Sequence, residues 1–154
     1  MAIRQMRYDG DAVLRKVSRP VDTVTERIRT LVKDMIETMR AEQGVGLAAP
    51  QIGILRRIFV VEIEENGLHV MINPEIFDQS GQQIDYEGCL SVPGKTGKVK
   101  RPDHLKVKYM DLEGNEQILE AEGYFARAIC HENDHLNGIL YIDRVEEELL
   151  EVQE

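Results

Sequence analysis

Between residues 25 and 42, Ile28, Leu31, Val32, Met35, Ile36 and Met39 recur at intervals of three and four, the spacing of a helix with one buried face. Thr25 or Thr23 can cap its first turn. The period then changes to two. Residues 54–63 and 68–72 read as strands joined by Glu64-Glu65-Asn66-Gly67, whose Asn-Gly pair favours a hairpin, and Asn73-Pro74 reads as a break. Further short strands are expected over 75–78, 82–87, 97–101, 105–111 and 116–121, with a turn at Glu113-Gly114-Asn115. Helical periodicity returns after Gly123, and Gly138 is a suitable stop.

At the two ends the pattern is weaker. Residues 11–15 read as a brief helical turn, closed by Pro20. Residues 139–142 read as a short buried strand, and Asp143 can cap a last amphipathic helix over 143–154. Strands fill the middle and helices flank them. The expected fold class is therefore α+β, in one domain spanning 1–154, with an N-terminal and a C-terminal helix.

The helix after Gly123 carries the candidate chemistry, His131-Glu132-Asn133-Asp134-His135, an HExxH sequence. Residues four apart on a helix share nearly one azimuth, so His131 and His135 can present two imidazoles to one metal ion. Glu132 falls on the neighbouring stripe with Phe125, Ile129 and Leu136, the stripe that such a helix buries. Burial raises a carboxyl pKa and a nearby dication lowers it, a compromise suited to a general base. The plainer alternative is a hydrogen-bonded core cluster.

Two histidines leave a catalytic metal short of its usual three protein ligands. Cys89 is the best third candidate. It lies in Glu87-Gly88-Cys89-Leu90-Ser91, where Gly88 lets the backbone turn closely around an ion. Cys130 is turned away from the histidine face and reads as packing. His69 and His104 have no ligand spacing to one another. Glu87 is costly if buried without a cation, and Arg101 on the next strand can pair with it. The run Gln43-Gly44-Val45-Gly46-Leu47-Ala48-Ala49-Pro50-Gln51-Ile52-Gly53 is flat and glycine-rich. It reads either as a helix end with a tight turn or as an extended segment that pairs with a substrate strand.

Composition narrows the setting. A formal net charge of -9 opposes broad affinity for nucleic-acid phosphates, so DNA is not an expected partner. The local basic run Lys95, Lys98, Lys100, Arg101, Lys106 and Lys108 reads as the solvated face of strands. No window has the apolar length of a membrane span, and the amino terminus lacks the apolar core of a signal peptide. Only Cys89 and Cys130 occur, which argues against a disulfide framework. A cytoplasmic monomer is expected.

Three segments together resemble the peptide deformylase family: Gly44-Val45-Gly46-Leu47-Ala48-Ala49-Pro50-Gln51 its GxGLAAPQ motif, Glu87-Gly88-Cys89-Leu90-Ser91 its EGCLS motif, and His131-Glu132-Asn133-Asp134-His135-Leu136-Asn137-Gly138 its HExDHLxG motif. They stand in family order. The resemblance implies an α+β domain whose antiparallel sheets surround a central HExxH helix. It also implies Cys89, His131 and His135 as ligands of a divalent metal, Fe2+ in this family, with Zn2+, Ni2+ or Co2+ as substitutes, and a water as fourth ligand. The implied reaction removes the formyl group from N-formylmethionyl nascent peptides and releases formate, with Glu132 as general base.

By the same likeness the side-chain amide of Gln51 and the N–H of Leu90 stabilise the oxyanion. Val45 and Gly46 form the edge that pairs with substrate, Gly88 adjoins the metal, and residues near Ile129 line the methionine pocket. Docking on the ribosome by the tail is not expected, because Glu146, Glu147, Glu148, Glu151 and Glu154 make it acidic; contact is then transient, made through the basic run after Lys95, or absent. Two other readings compete. A zinc endopeptidase would draw its third ligand from downstream, yet no histidine follows His135; a metal-stabilised binding module would need neither Glu132 nor Gln51.

Overall fold

The computed structural model describes residues 2–145 and the backbone of Leu150–Glu151. Asp11 opens the chain's first short element, a 3-10 turn over Ala12–Arg15, by accepting from Val13 N. Helix α1 (Glu26–Ala41) is capped by Thr25, whose side chain accepts from Ile28 N. Strand β1 (Gly46–Ala48) and a 3-10 turn (Ala49–Ile52) follow, so the glycine-rich run is extended where it begins and coiled where it ends.

Strands β2 (Ile58–Ile63), β3 (Gly67–Ser80), β4 (Gln83–Cys89), β5 (Val92–Arg101), β6 (His104–Met110) and β7 (Glu116–Glu122) fill the middle. Helix α2 (Gly123–Leu136) comes next, and β8 (Leu150–Glu151) ends the described chain. Two antiparallel sheets result, with strand orders β1-β2-β3-β6-β7 and β4-β5-β8. The fold is α+β, with two main helices.

Period-two alternation along β2 places the helices. Ile58 and Val60 pack with Leu31, Val32, Met35 and Met39 of α1. Phe59 and Val61 pack with Phe125, Ala126 and Ile129 of α2. Alternate residues of a strand face opposite ways, so α1 and α2 cover opposite faces of the larger sheet. Each fully buried Leu, Ile, Val, Phe or Met contributes about 1.5–3 kcal/mol to that packing. The smaller sheet approaches α2 from another side, where Arg127 donates to the carbonyls of Gln83, Asp85 and Val99. The HExxH helix is thereby held between the sheets.

Gly138 stops α2 as expected. It adopts φ +75°, Gly138 N donates to His135 O at 3.2 Å, and Ile139 N donates to Asp134 O at 3.0 Å, the paired bonds of a Schellman end. A Cβ there would lie 2.5 Å from the Arg15 carbonyl oxygen, so only glycine fits.

Three local expectations need correction. β3 does not break at Asn73-Pro74. Asn73 takes φ +52°, the register shifts there, and its side chain accepts from Val21 N and donates to Val21 O, supplying the bonds that the bulge forgoes. Residues 139–142 do not form a strand: Tyr141–Asp143 is a 3-10 turn, closed by Asp143 Oδ2 accepting from Leu140 N at 3.0 Å. Nor does the described part of 143–154 form a helix. Val145 bridges to Val99, and β8 pairs with Lys95 and Thr96, where the edge of β5 offers unpaired peptide groups. The remainder of that expected helix lies outside the described residues. No helix among the described residues is long and apolar enough to cross a membrane.

Candidate active site

One turn of α2 separates His131 from His135, and their ring centroids lie 5.1 Å apart. Cys89 ends β4, beside a register shift between Glu87 and Cys89 that swings its thiol toward the helix. Its Sγ lies 3.4 Å from His135 Nε2, and one donor atom from each of Cys89, His131 and His135 falls within 4.8 Å of the others. His131 Nδ1 lies 2.8 Å from Glu87 Oε1. An ionised carboxylate only accepts, so Nδ1 carries a proton, and whenever the ring is neutral it is Nε2 that has the lone pair.

Glu87 is itself fixed. Arg101 donates to both its oxygens, at 2.9 and 3.0 Å, and Arg127 Nη1 donates to Oε2 at 2.6 Å. Burial alone would raise the pKa of Glu87, but the bonds from His131 and Arg101 outweigh it and hold the carboxyl well below the usual range. Arg101 also donates to Asp134 Oδ2 at 2.7 Å, and Asp134 accepts two bonds from Arg144. A chain of alternating charges therefore runs from His131 to the start of the tail.

Glu132 is buried on the adjoining stripe, and burial pushes its pKa up to about 7 against the lowering effect of His131. Its Oε1 has no hydrogen-bond partner among the described residues. Its Oε2 occupies the space that a Cβ on Gly46 would need, which explains the glycine in β1. Gln51, on the 3-10 turn after β1, is almost fully buried. Its Oε1 accepts from Ala48 N at 2.9 Å, while Nε2 donates to Ser91 Oγ at 3.1 Å and lies 3.6 Å from Cys89 Sγ. That side-chain amide is aimed at the thiol.

These groups surround a cavity of about 370 Å3, whose walls include Val45, Gly46, Gly88, Leu90, Tyr86 and Tyr124. β1 lies at the edge of its sheet, so beside the cavity one side of Gly46–Ala48 has no strand partner among the described residues. The sequence-predicted residues thus converge, with one exception. Ile129 is fully buried in the core between α2 and the large sheet, and Ala128 stands at the cavity wall instead. His69 bonds Asn66 O, and His104 pairs with Glu122, both away from the cavity. Cys130 packs in the core, where burial raises its thiol pKa to about 11. Arg127, Asp134, Arg144, Tyr86 and Tyr124 were not anticipated. For Arg127 a signal existed: it lies four residues before His131 in the otherwise apolar run Phe125-Ala126-Arg127-Ala128-Ile129.

One thiol and two imidazoles that converge beside an unpartnered buried carboxylate oxygen fit a divalent transition metal with room for a further ligand. Fold and site are those of a metal-dependent hydrolase. Comparison with known proteins gives the family. The polypeptide deformylase family model matches residues 3–150. Peptide deformylase 1 of Clostridium perfringens is 56% identical over 144 residues, covering 93% of this chain and 98% of that protein. The peptide deformylase of Thermoanaerobacter pseudethanolicus is 52% identical over 159 residues, covering 100% of this chain and 99% of that protein. Among solved structures, the Thermotoga maritima peptide deformylase superposes with a TM-score of 0.92 at 43% identity, covering 96% of this chain and 100% of that one. The Synechococcus elongatus peptide deformylase in complex with actinonin gives 0.90 at 41% identity, covering 94% of this chain and 79% of that one. The chain belongs to the peptide deformylase family, and it is a metal-dependent hydrolase that removes the N-formyl group from newly synthesised polypeptides.

Proposed function

We propose that Cys89, His131 and His135 hold the metal of this deformylase, that Glu132 is its general base, and that Gln51 Nε2 and the Leu90 N–H stabilise the oxyanion. The observation that carries this reading is the meeting of the three donor atoms beside the buried Glu132 carboxyl. A divalent cation held there supplies Lewis acidity and makes a water nucleophilic at neutral pH.

The residues do the rest. Val45 and Gly46, at the free edge of β1, pair with the backbone of the formylmethionyl peptide and lay its formyl group over Cys89. Glu132 takes a proton from the attacking water, a transfer suited to a carboxyl whose pKa burial raises and a nearby dication lowers. Negative charge developing on the formyl oxygen is met by Gln51 Nε2, already oriented by Ala48 and Ser91. Glu132 then returns the proton to the departing nitrogen as the C–N bond breaks, and formate and a free amino terminus leave. The methionine side chain occupies the part of the cavity between Ala128 and Tyr124.

The donor set accepts Zn2+, Ni2+ and Co2+ as well as Fe2+, and the assignment to Fe2+ rests on family likeness. As a cytoplasmic monomer of one domain, the enzyme meets nascent chains as they emerge, with ribosome contact transient. The test is metal content after anaerobic purification. One equivalent of iron in the wild type, retained in Glu132→Ala and lost in Cys89→Ala and His135→Ala, is the expected result. Equal iron in all four proteins would remove these residues from the metal site.

A further inference from the structure

The carboxylate that orients His131 is itself held from the far end of the chain. Arg101 donates to Glu87 through Nε and Nη2, and its remaining nitrogen, Nη1, donates to Asp134 Oδ2 at 2.7 Å. Asp134 is buried beside His135 on α2, and among the described residues its carboxylate accepts only from Arg101 and Arg144. Arg144 meets it as a fork, with Nε donating to Oδ2 at 2.6 Å and Nη2 to Oδ1 at 3.1 Å. Oδ1 depends on Arg144 alone.

The backbone is pinned on both sides of Arg144. Before it, the 3-10 turn Tyr141–Asp143 is closed by Asp143, which also pairs with Arg15. After it, Val145 bridges to Val99, two residues before Arg101 on β5. The guanidinium is therefore delivered to Asp134 by the way the chain leaves α2 and docks on β5. The same turn lays the Tyr141 ring against His131, with centroids 6.0 Å apart and planes at 26°. This segment thus reaches His131 directly and also through a line of charged side chains.

We infer that Arg144 is a positioning residue for His131, acting through Asp134, Arg101 and Glu87, and so sets how tightly the deformylase holds its metal. The inference rests on the reading of His131 as a metal ligand. Arg101 is shared between two buried carboxylates, and what Asp134 does not receive from Arg144 it draws from Arg101. Without the fork, Asp134 pulls Arg101 from its two-point hold on Glu87, and the oxygen that orients His131 loses its fixed place. Charge alone acts in the opposite direction. Removing a cation from the neighbourhood of a dication eases binding of the dication, so a loss of metal affinity reports the geometry.

Zinc affinity of the full-length protein, measured by competition with a chromophoric chelator, tests this. Arg144→Gln should bind zinc about three- to tenfold more weakly than the wild type, a smaller loss than in Glu87→Gln because the residue acts at a distance. Arg144→Lys keeps the charge without the planar fork and should recover only part of the loss. In the Glu87→Gln background, Arg144→Gln should have no further effect, because the path to His131 is already cut. Arg144 is half-exposed, and Arg144→Lys carries the test if Arg144→Gln does not fold. Zinc binding as tight as in the wild type, or tighter, in both Arg144 variants would overturn the inference and leave Arg144 a tether of the tail. A loss of the same size with and without Glu87 would overturn it too. His131→Ala separates the two claims: wild-type zinc affinity there removes the ligand assignment and the inference with it, whereas weak binding there beside unaltered Arg144 variants removes the inference alone.

Discussion

His131 Nδ1 lies 2.8 Å from Glu87 Oε1, and the carboxylate it meets is gripped by Arg101 and Arg127. Glu87 therefore decides which imidazole nitrogen faces the metal site, and two buried guanidiniums depend on it. Glu87→Gln should lower metal affinity by about 10- to 100-fold, by analogy with other carboxylate–histidine–metal pairs. Because arginines are left under-compensated, it should also cost about 3–5 kcal/mol of stability. Metal competition with a chelator and denaturant unfolding measure the two effects separately.

A side chain at Gly46 should displace Glu132. A Cβ at that position would enter the space of the Glu132 carboxyl, which must then shift toward the cavity it lines. In Gly46→Ala the Glu132 carboxyl, the proposed base, is displaced while Cys89, His131 and His135 are untouched. A misplacement of about 1 Å costs on the order of 100-fold in rate. Reduced kcat at full metal occupancy is the expected outcome.

Gln51→Ala should affect rate and fold together. Loss of an oxyanion donor costs about 2.7–4 kcal/mol of transition-state stabilisation, or roughly 100- to 1000-fold in kcat. Gln51 also bonds Ala48 N and Ser91 Oγ, both in a buried setting. Orphaning those partners should cost a further ~1–3 kcal/mol of folding free energy. Steady-state kinetics and thermal unfolding on one preparation check the pair.

At the other end of the molecule, Asp34 anchors the N-terminal segment to α1 by accepting from Ala2 N at 2.9 Å and Arg4 Nε at 2.8 Å. Burial raises its pKa, but those bonds outweigh it, and the net value lies below the ordinary one. With the folded pKa depressed, the stabilisation is complete above the ordinary carboxyl value and is lost as pH falls through the folded one. Denaturant midpoints taken across the acid range should fall more steeply for the wild type than for Asp34→Asn, and the curves should converge at the acid end.

Much of this was legible along the chain because it depends on short-range spacing. The period of α1, the Asn66-Gly67 turn, the stop at Gly138 and the convergence of His131 with His135 follow from residues within a few positions of one another. What escaped depends on partners far away in sequence. Pro74 did not end β3 because Asn73 finds Val21. The segment after Asp143 supplies a strand to β5, whose open edge exists only after β4 and β5 have paired. In the site, Cys89 and Gln51 were recognisable from their motifs. Arg127, Asp134 and Arg144 resemble solvated helix and tail charges until Glu87 and Arg101 are folded against them. The stripe of Phe125, Ile129 and Leu136 is buried as expected, and for that reason Ile129 itself lies in the core and not at the cavity wall.

Release of formate from a short N-formylmethionyl peptide tests the central claim most directly, with anaerobic wild-type protein compared with Glu132→Ala at equal metal content. Wild-type turnover with a loss of several orders of magnitude in the variant is the predicted result. Undiminished formate release by metal-replete Glu132→Ala would contradict the assignment of the base, and no formate from metal-replete wild type would contradict the activity itself.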